Sequence, residues 1–167
     1  MCQACDDCYA LKAENQYPLV LPYRERQFKI TQEVAPVDFA WALVNMYGKT
    51  LKRRRKDITF RFNEAGDFVN QKQLDWFTSV CALLNQEPTS IKCYGYTART
   101  DLNLSELLKY ASVMVSNDKG GWVSKGANRF KKYPKGSKPP KFDCAGDCRV
   151  CKMCLNFKGK VIGVESH

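Results

Sequence analysis

A chain of 167 residues, 44% of them hydrophobic, is long enough to bury a core, so one domain is expected over residues 1–167. No stretch approaches the roughly 20 apolar residues that span a bilayer, and residues 1–10 lack the basic and apolar segments of a signal peptide, which disfavours membrane and secreted proteins. We therefore expect a cytoplasmic protein without a membrane partner, whose nine cysteines bind metal rather than form disulfides and whose net charge of +10 needs a separate explanation.

The first ten residues form a cysteine cluster, in which Cys2, Cys5 and Cys8 follow the pattern Cys-x-x-Cys-x-x-Cys. A two-residue gap lets successive sulfurs face one point while backbone amides stay available to donate to sulfide or thiolate. Closely spaced thiolates of this kind suit the corners of a cubane cluster, whereas tetrahedral zinc more often takes ligands in pairs, so iron–sulfur is favoured over zinc. The stretch up to residue 27 is expected to be irregular because of Pro18 and Pro22.

The middle of the chain carries alternating helix and strand patterns. Apolar residues at helical spacing predict helices over residues 36–47, 70–85 and 105–111. Gly48 is expected to cap the first helix, and the basic run 52–56 to be a solvated connection. Alternating patterns rich in β-branched and aromatic residues predict strands over residues 57–62, 91–96 and 112–116, with a fourth at 160–164.

Strands that alternate with helices imply right-handed crossovers and parallel pairing. The predicted fold class is therefore α/β, with a small parallel-type sheet or partial barrel, flanking helices and a cysteine cluster at each end of the chain. The α/β core is expected to occupy residues 36–117.

Residues 118–143 are rich in glycine, lysine, proline and aromatic residues, show no periodicity, and are predicted to form a long basic loop. Eight of the 27 basic residues lie between Lys119 and Lys141, with no acid among them. Lysines mixed with aromatic rings can contact phosphates and stack on bases, which makes nucleic acid a candidate partner. The candidate contacts are Trp122, Arg129, Lys131, Lys132 and Lys135. A solvated flexible tail is the alternative.

Residues 144–167 carry the second cysteine cluster and the final predicted strand. This cluster supplies four thiolates, from Cys144, Cys148, Cys151 and Cys154. Four thiolates are enough for one zinc ion or one iron–sulfur cluster, and a single cluster shared between the two chain ends is a further alternative. Cys81 and Cys93 lie on an apolar helix face and in a strand, so we predict that they are buried structural residues.

Four short segments occur in a distinctive order. They are Cys5-Asp6-Asp7-Cys8-Tyr9-Ala10, Phe60-Arg61-Phe62 leading into Gly66-Asp67-Phe68, Tyr94-Gly95-Tyr96-Thr97, and Cys148-Arg149-Val150-Cys151-Lys152-Met153-Cys154. Together they span most of the chain, and their order and spacing resemble the gene product 88-like proteins of bacteriophages. The resemblance implies a phage origin and a cysteine-ligated metal centre, and it does not supply an activity.

The same features are more distantly similar to radical S-adenosylmethionine enzymes. That resemblance implies that Cys2, Cys5 and Cys8 hold a cluster with one open iron. It also implies that Asn63, Glu64 and Asp67 lie at the carboxyl end of a strand and contact a ligand. The chain departs from that family in its short first cysteine gap, in the position of Tyr9 after the third cysteine, and in its second cysteine cluster.

The leading interpretation is a phage iron–sulfur protein, expected to carry a 4Fe-4S cluster and to exchange electrons with an unknown redox partner. The only histidine is residue 167, which argues against a Ser-His-Asp or Cys-His hydrolase. One alternative is a nucleic-acid-binding module with a structural zinc ion or cluster, and the other is a radical S-adenosylmethionine-like enzyme. Whether the protein is an enzyme stays open.

Overall fold

The structure, a computed structural model, describes residues 9–54, 58–63, 67–86, 91–116, 124–145 and 151–165. Its helices are α1 (Tyr9–Gln16), α2 (Val20–Glu33), α3 (Pro36–Arg54), α4 (Gln71–Leu84) and the short α5 (Met153–Asn156). Its strands are β1 (Thr59–Phe62), β2 (Lys92–Thr97), β3 (Ala111–Val115), β4 (Asn128–Tyr133) and β5 (Val161–Glu165). None of the helices in these ranges is long and apolar enough to cross a membrane.

The five strands form one open sheet in which every pairing is parallel and the spatial order β1-β2-β3-β4-β5 follows the chain. This confirms the predicted α/β class. β3 is buried at all five of its residues, as expected for an inner strand of a parallel sheet that is covered on both faces.

Side chains alternate between the two faces of the sheet. On one face, which we call the α4 face, Phe62, Cys93 and Val113 pack with the apolar side of α4 in the main core. On the other, the α5 face, Ser112 and Asn128 bond to the backbone carbonyl that directly follows α5. The two faces therefore differ in chemistry, because one is an apolar core and the other carries buried polar groups.

The helix α4 forms where the sequence predicts it and positions the core. Asn70 caps its amino terminus, with the side-chain oxygen accepting from the backbone N–H of Gln73 at 2.9 Å. Trp76 and Phe77 place their rings 5.0 Å apart, edge to face, and continue an aromatic cluster that includes Phe39 and Phe62. These contacts join α3, α4 and β1 into one hydrophobic layer.

The prediction that the stretch up to residue 27 is irregular is wrong, because α1 and α2 occupy it. Pro22 lies in the first turn of α2, where a missing backbone N–H removes no intrahelical hydrogen bond. Pro18 falls in the turn between the two helices. Both prolines are therefore compatible with two consecutive helices joined by a short turn.

Two further helix predictions need correction. Gly48 does not end α3, which continues to Arg54 because one internal glycine costs only about 1 kcal/mol and good helix formers follow it. The basic run 52–56 therefore begins inside the helix rather than in a connection. The predicted helix over 105–111 is a 3-10 turn at Leu107–Lys109, and Ala111 already belongs to β3.

The predicted basic loop over 118–143 contains the inner strand β4, so the loop assignment is wrong for Asn128–Tyr133. Among the residues that the structure describes, β3 pairs with β4 at Asn128 and Arg129, whereas β5 pairs with β4 along five residues. Within these ranges the second half of β4 is paired on one side, and Lys131 and Lys132 are exposed there. The exposed half of β4 therefore does not need apolar residues, and this is why its sequence shows no strand pattern.

Candidate metal centre

The connection between β4 and β5 carries the carboxyl-terminal cysteines, and its first one lies beside the sheet. Asp143 forms a parallel bridge with Gly163 of β5, and the backbone N–H of Cys144 donates to the carbonyl of Gly163 at 2.9 Å. Cys144 is half-buried and has a free thiol. The outer edge of β5 therefore fixes the position of this residue.

Cys151 and Cys154 stand on either side of a sharp change in backbone direction. Lys152 between them adopts the left-handed conformation, with φ 50° and ψ 13°, and α5 starts at the next residue. That conformation costs a non-glycine residue about 1 kcal/mol or more, and such strain is concentrated at functional sites. Both cysteines are half-buried.

The two ends of this cysteine segment are held together by an aromatic contact. Phe142, just before Cys144, meets Phe157, just after α5, with ring centroids 5.0 Å apart in an edge-to-face arrangement. The contact closes the segment that carries all four carboxyl-terminal cysteines into a loop. Cys148 itself lies outside the described residues, as do Cys2, Cys5 and Cys8 of the amino-terminal cluster.

A buried polar group anchors the end of this loop to the α5 face. The Asn128 amide nitrogen donates to the carbonyl of Phe157 at 2.6 Å and to the Ser112 hydroxyl oxygen at 3.1 Å. The Asn128 side-chain oxygen accepts from the backbone N–H of Lys160 at 3.0 Å, and the Ser112 hydroxyl donates to the Phe157 carbonyl at 3.1 Å. Asn128 is completely buried, and its three hydrogen bonds connect β4 to β3 and to the turn after α5.

The donor chemistry of the loop suits a thiophilic metal, and the described part of the chain supplies only part of a ligand set. Within that part, no three cysteine, histidine, aspartate or glutamate residues lie close enough to hold a metal ion. Three of the seven predicted ligands, Cys144, Cys151 and Cys154, are described. These three do not form a ligand group with one another, and the assignment of all seven cysteines as ligands stays a prediction.

The two cysteines in the core contrast with those of the loop. Cys81 on α4 and Cys93 on β2 are buried, as the sequence predicts for structural residues. A hydrogen bond with Cys93, together with burial, raises the pKa of the Cys81 thiol well above its usual range. No disulfide joins any two of the five cysteines that the structure describes. Cys81 is therefore held in the unreactive thiol form.

The carboxyl end of β1 carries two of the residues for which we predict a ligand contact. The carboxylate of Asp67 accepts from the Thr97 hydroxyl and the Ala98 backbone N–H, both at 2.6 Å, and burial raises its pKa despite these bonds. Asn63 adopts φ 51°, and its buried amide nitrogen has no hydrogen-bond partner among the described residues. Glu64 lies outside those residues. Asp67 thus joins β1 to β2, and the ligand role of these residues stays a prediction.

The predicted nucleic-acid contacts are distributed over β4 and the turn that follows it. Lys131, Lys132 and Lys135 are exposed, Arg129 is half-buried, and Trp122 lies outside the described residues. The sequence shows these cations, and the pairing with β5 adds that Arg129, Lys131 and Lys132 lie on a strand, where the adjacent Lys131 and Lys132 point to opposite faces of the sheet.

An aromatic stack on the α5 face was not predicted. Tyr96 of β2 and Phe130 of β4 stack with ring centroids 5.7 Å apart and planes 10° from parallel. The guanidinium of Arg61 on β1 lies 4.7 Å from the centroid of the Tyr96 ring. Tyr94-x-Tyr96 and Arg61 were visible in the sequence as alternate residues of two strands, but their neighbour Phe130 lay in a segment that showed no strand pattern.

A family model described as Gene product 88 matches residues 1–119, which include the amino-terminal cysteines and the first three strands. No curated protein matches the chain, and no solved structure matches it.

Proposed function

The chain belongs to the gene product 88 family of bacteriophage proteins, and we propose that it is an iron–sulfur protein that transfers electrons in the cytoplasm of the infected host cell. The observation that carries this proposal is the division of the cysteines into two kinds. Cys81 and Cys93 are buried in the core, whereas Cys144, Cys151 and Cys154 are half-buried on a loop anchored to the sheet. A cysteine that serves only to fill a core is expected to be buried, so the half-buried cysteines of the loop need another explanation.

The geometry around α5 supports a ligand role for its cysteines. The left-handed Lys152 turns the chain within the Cys-x-x-Cys spacing, and ligand turns of this kind let two sulfurs face one point. Asn128 and Ser112 fix the backbone at Phe157, three residues after Cys154. A ligand loop that is held in place before binding loses less conformational entropy when the metal enters.

In this proposal the protein residues would hold and orient the cluster, and the bound cluster would supply one-electron chemistry. The thiolates of the carboxyl-terminal loop, together with Cys2, Cys5 and Cys8, would provide the ligands. Phe142 and Phe157 contact each other where the loop begins and ends, beside the positions at which the thiolates would hold the cluster. A zinc ion at the carboxyl-terminal set is the alternative metal.

The test is purification without oxygen, followed by iron and sulfide analysis and electron paramagnetic resonance. We expect a brown protein that contains equal amounts of iron and sulfide. Cys151→Ser combined with Cys154→Ser should remove the cluster of that loop, while Cys93→Ala, the matched control, should leave the metal content unchanged. Cys5→Ser then distinguishes two separate clusters from one shared cluster, because it removes part of the iron in the first case and all of it in the second. A colourless protein that contains only zinc after anaerobic reconstitution would overturn the proposal.

A second candidate function, nucleic-acid binding, is favoured by the charge of β4 and its turn. Every charged residue in residues 124–142 is basic, and Lys132, Lys135 and Lys138 are exposed. Exposed cations on a strand and its adjoining turn present a fixed spacing to a phosphate backbone, which a flexible tail does not. The net charge of +10 agrees with such a partner.

Binding to single-stranded DNA and RNA, measured over a range of salt concentrations, tests this candidate. Lys132→Ala with Lys135→Ala should lower the magnitude of the slope of log affinity against log salt by about 1.4, because two phosphate contacts are lost at roughly 0.7 each on a single strand. Lys12→Ala with Lys72→Ala removes the same charge from exposed positions on α1 and α4 and should leave the slope nearly unchanged. Absence of binding at low salt would remove the candidate.

A further inference from the structure

Helix α2 is exposed on nearly all sides in spite of its apolar residues. Of its 14 residues only Thr31 is buried, while Leu21, Tyr23, Phe28 and Ile30 are all exposed. A helix of this length is marginal in water by itself and normally depends on packing of its apolar side. The described part of the chain supplies little of that packing.

The contacts of α2 are concentrated at its two ends. Arg24 forms an ion pair with Glu14 of α1, and Thr31 lies 3.4 Å from the side-chain nitrogen of Gln73 on α4. The indole N–H of Trp76 donates to the carbonyl of Val34 at 2.8 Å, immediately after the helix. α2 is therefore attached along one line, and the sides of the helix away from that line face outward.

The apolar residues of α2 lie on both flanks of this attachment line. At 100° per residue, Leu21 and Phe28 fall on one flank and Tyr23 and Ile30 on the other, each pair seven residues apart. The second flank also carries Arg26, whose guanidinium lies 5.9 Å from the centroid of the Tyr23 ring. It ends with Glu33. We call Tyr23, Arg26, Ile30 and Glu33 the α2 stripe.

The α2 stripe has the spacing and charge of a helix-pairing surface. Its members recur at intervals of three, four and three residues, which is the spacing of a coiled-coil seam. It carries one base and one acid, and the acid, Glu33, also lies 3.5 Å from Lys29 on the same helix; both side chains of that pair are exposed, so the pair contributes little to stability and can be exchanged for a pair with a second copy. An anionic partner such as nucleic acid or an acidic membrane surface would meet an acid as well as a base on this stripe. A second copy of the stripe, in contrast, offers an acid to each base and a base to each acid.

We propose that two copies of this chain form a dimer through the α2 stripe, with the two α2 helices packed antiparallel about a two-fold axis near Ile30. Around that axis the Ile30 side chains of both copies meet, and Arg26 of each copy faces Glu33 of the other. The same ion pair occurs twice because the interface is self-complementary. Tyr23 extends the contact toward Val37 of the second copy, which is exposed at the start of α3.

Sedimentation equilibrium of the whole chain at several concentrations tests the proposal, with circular dichroism as a check on folding. Wild type should behave as a concentration-dependent dimer, and Ile30→Glu, which would place two like charges at the axis, should give a folded monomer. Leu21→Glu introduces the same charge on the opposite flank of the same helix and should leave the dimer intact.

A charge exchange identifies the pairing. Arg26→Glu alone and Glu33→Arg alone should each raise the dimer dissociation constant about tenfold, because each places two pairs of like charges across the interface. The double exchange Arg26→Glu with Glu33→Arg should restore the wild-type constant. A wild-type chain that stays monomeric at every concentration, a dimer that survives Ile30→Glu, or a double exchange that fails to restore dimerisation would each overturn the proposal. The result is independent of metal content and of nucleic-acid binding.

Discussion

Replacing Asn128 by alanine tests whether the anchor of the cysteine loop is as important as its geometry indicates. Asn128 is completely buried and makes three hydrogen bonds, to Ser112, to the Phe157 carbonyl and from the Lys160 N–H. The substitution removes all three and leaves an unfilled volume between β3, β4 and the turn after α5. The Phe157 carbonyl keeps one donor, the Ser112 hydroxyl, so the loss is not uniform.

The magnitude follows from the groups left without partners. A buried donor or acceptor that loses its partner costs about 1–3 kcal/mol, and here the Lys160 N–H loses its acceptor while Ser112 loses a donor. We therefore expect Asn128→Ala to lower the free energy of unfolding by about 2–4 kcal/mol. Ser112→Ala should cost only about 1 kcal/mol, since the Phe157 carbonyl then still accepts from Asn128. Because the two side chains share one network, their double mutant should show a coupling energy above about 0.5 kcal/mol.

Urea unfolding followed by circular dichroism measures these differences. All variants should be compared at one protein concentration and after metal removal by a chelator, because dimerisation and metal binding both shift apparent stability. Lys132→Ala, an exposed change on the same strand, is the matched control and should lie within about 0.5 kcal/mol of wild type. If Asn128→Ala also lies within about 0.5 kcal/mol of wild type, the three hydrogen bonds do not stabilise the fold as argued.

Three further predictions concern other parts of the fold. Gly95→Ala should cost about 1–3 kcal/mol in the same urea experiment, because a Cβ there would lie 2.1 Å from a ring carbon of the buried Phe62; a neutral effect would mean that the ring can move aside. Since burial raises the pKa of Asp67, the folded state holds its proton more tightly than the unfolded state does. The stability of wild type relative to Asp67→Asn should therefore fall as pH rises from the usual aspartate pKa of about 3.9 through the raised value, and a rise would contradict this assignment. The hydrogen bond to Asp143 raises the pKa of Tyr133 to about 12, so Asp143→Asn should lower it toward about 10 in an ultraviolet titration referenced to Tyr133→Phe, and an unchanged value would show that the bond does not form in solution.

The sequence predicts most of the α4 face, because that face obeys simple periodicities. Phe60 and Phe62 alternate along β1, and the apolar residues of α4 recur at helical spacing, so both elements and their burial follow from the pattern. Val113 and Val115 likewise identify β3, whereas the pattern assigns Ala111 to the preceding helix although it is the first residue of the strand. These segments have one apolar side that packs against another, which is the condition under which such patterns are informative.

The α5 face was much harder to predict, since its strands do not present a uniform apolar side. In β4 the residues on this face are Asn128, Phe130 and Lys132, which are respectively a buried amide, a stacked ring and an exposed cation. Asn128 becomes recognisable as an anchor only when its distant partners, 16 to 32 residues away in the chain, are placed around it. The same holds for the cysteine loop, whose spacing indicates metal binding while its support on β5 depends on Gly163 and the bridge to Asp143.

The polar character of the α5 face fits a role in positioning better than a role in maximal stability. A buried serine and asparagine cost desolvation energy that only complete hydrogen bonding offsets, and apolar residues of similar size would fill the same space without that cost. Hydrogen bonds are directional, so those of Asn128 and Ser112 to the Phe157 carbonyl specify one placement of the turn after α5. An apolar contact would allow that turn to slide along the sheet. Buried polar groups therefore occur where the cysteine loop returns to the sheet and its position must be specified. The main apolar core lies on the opposite face, which anchors no such loop.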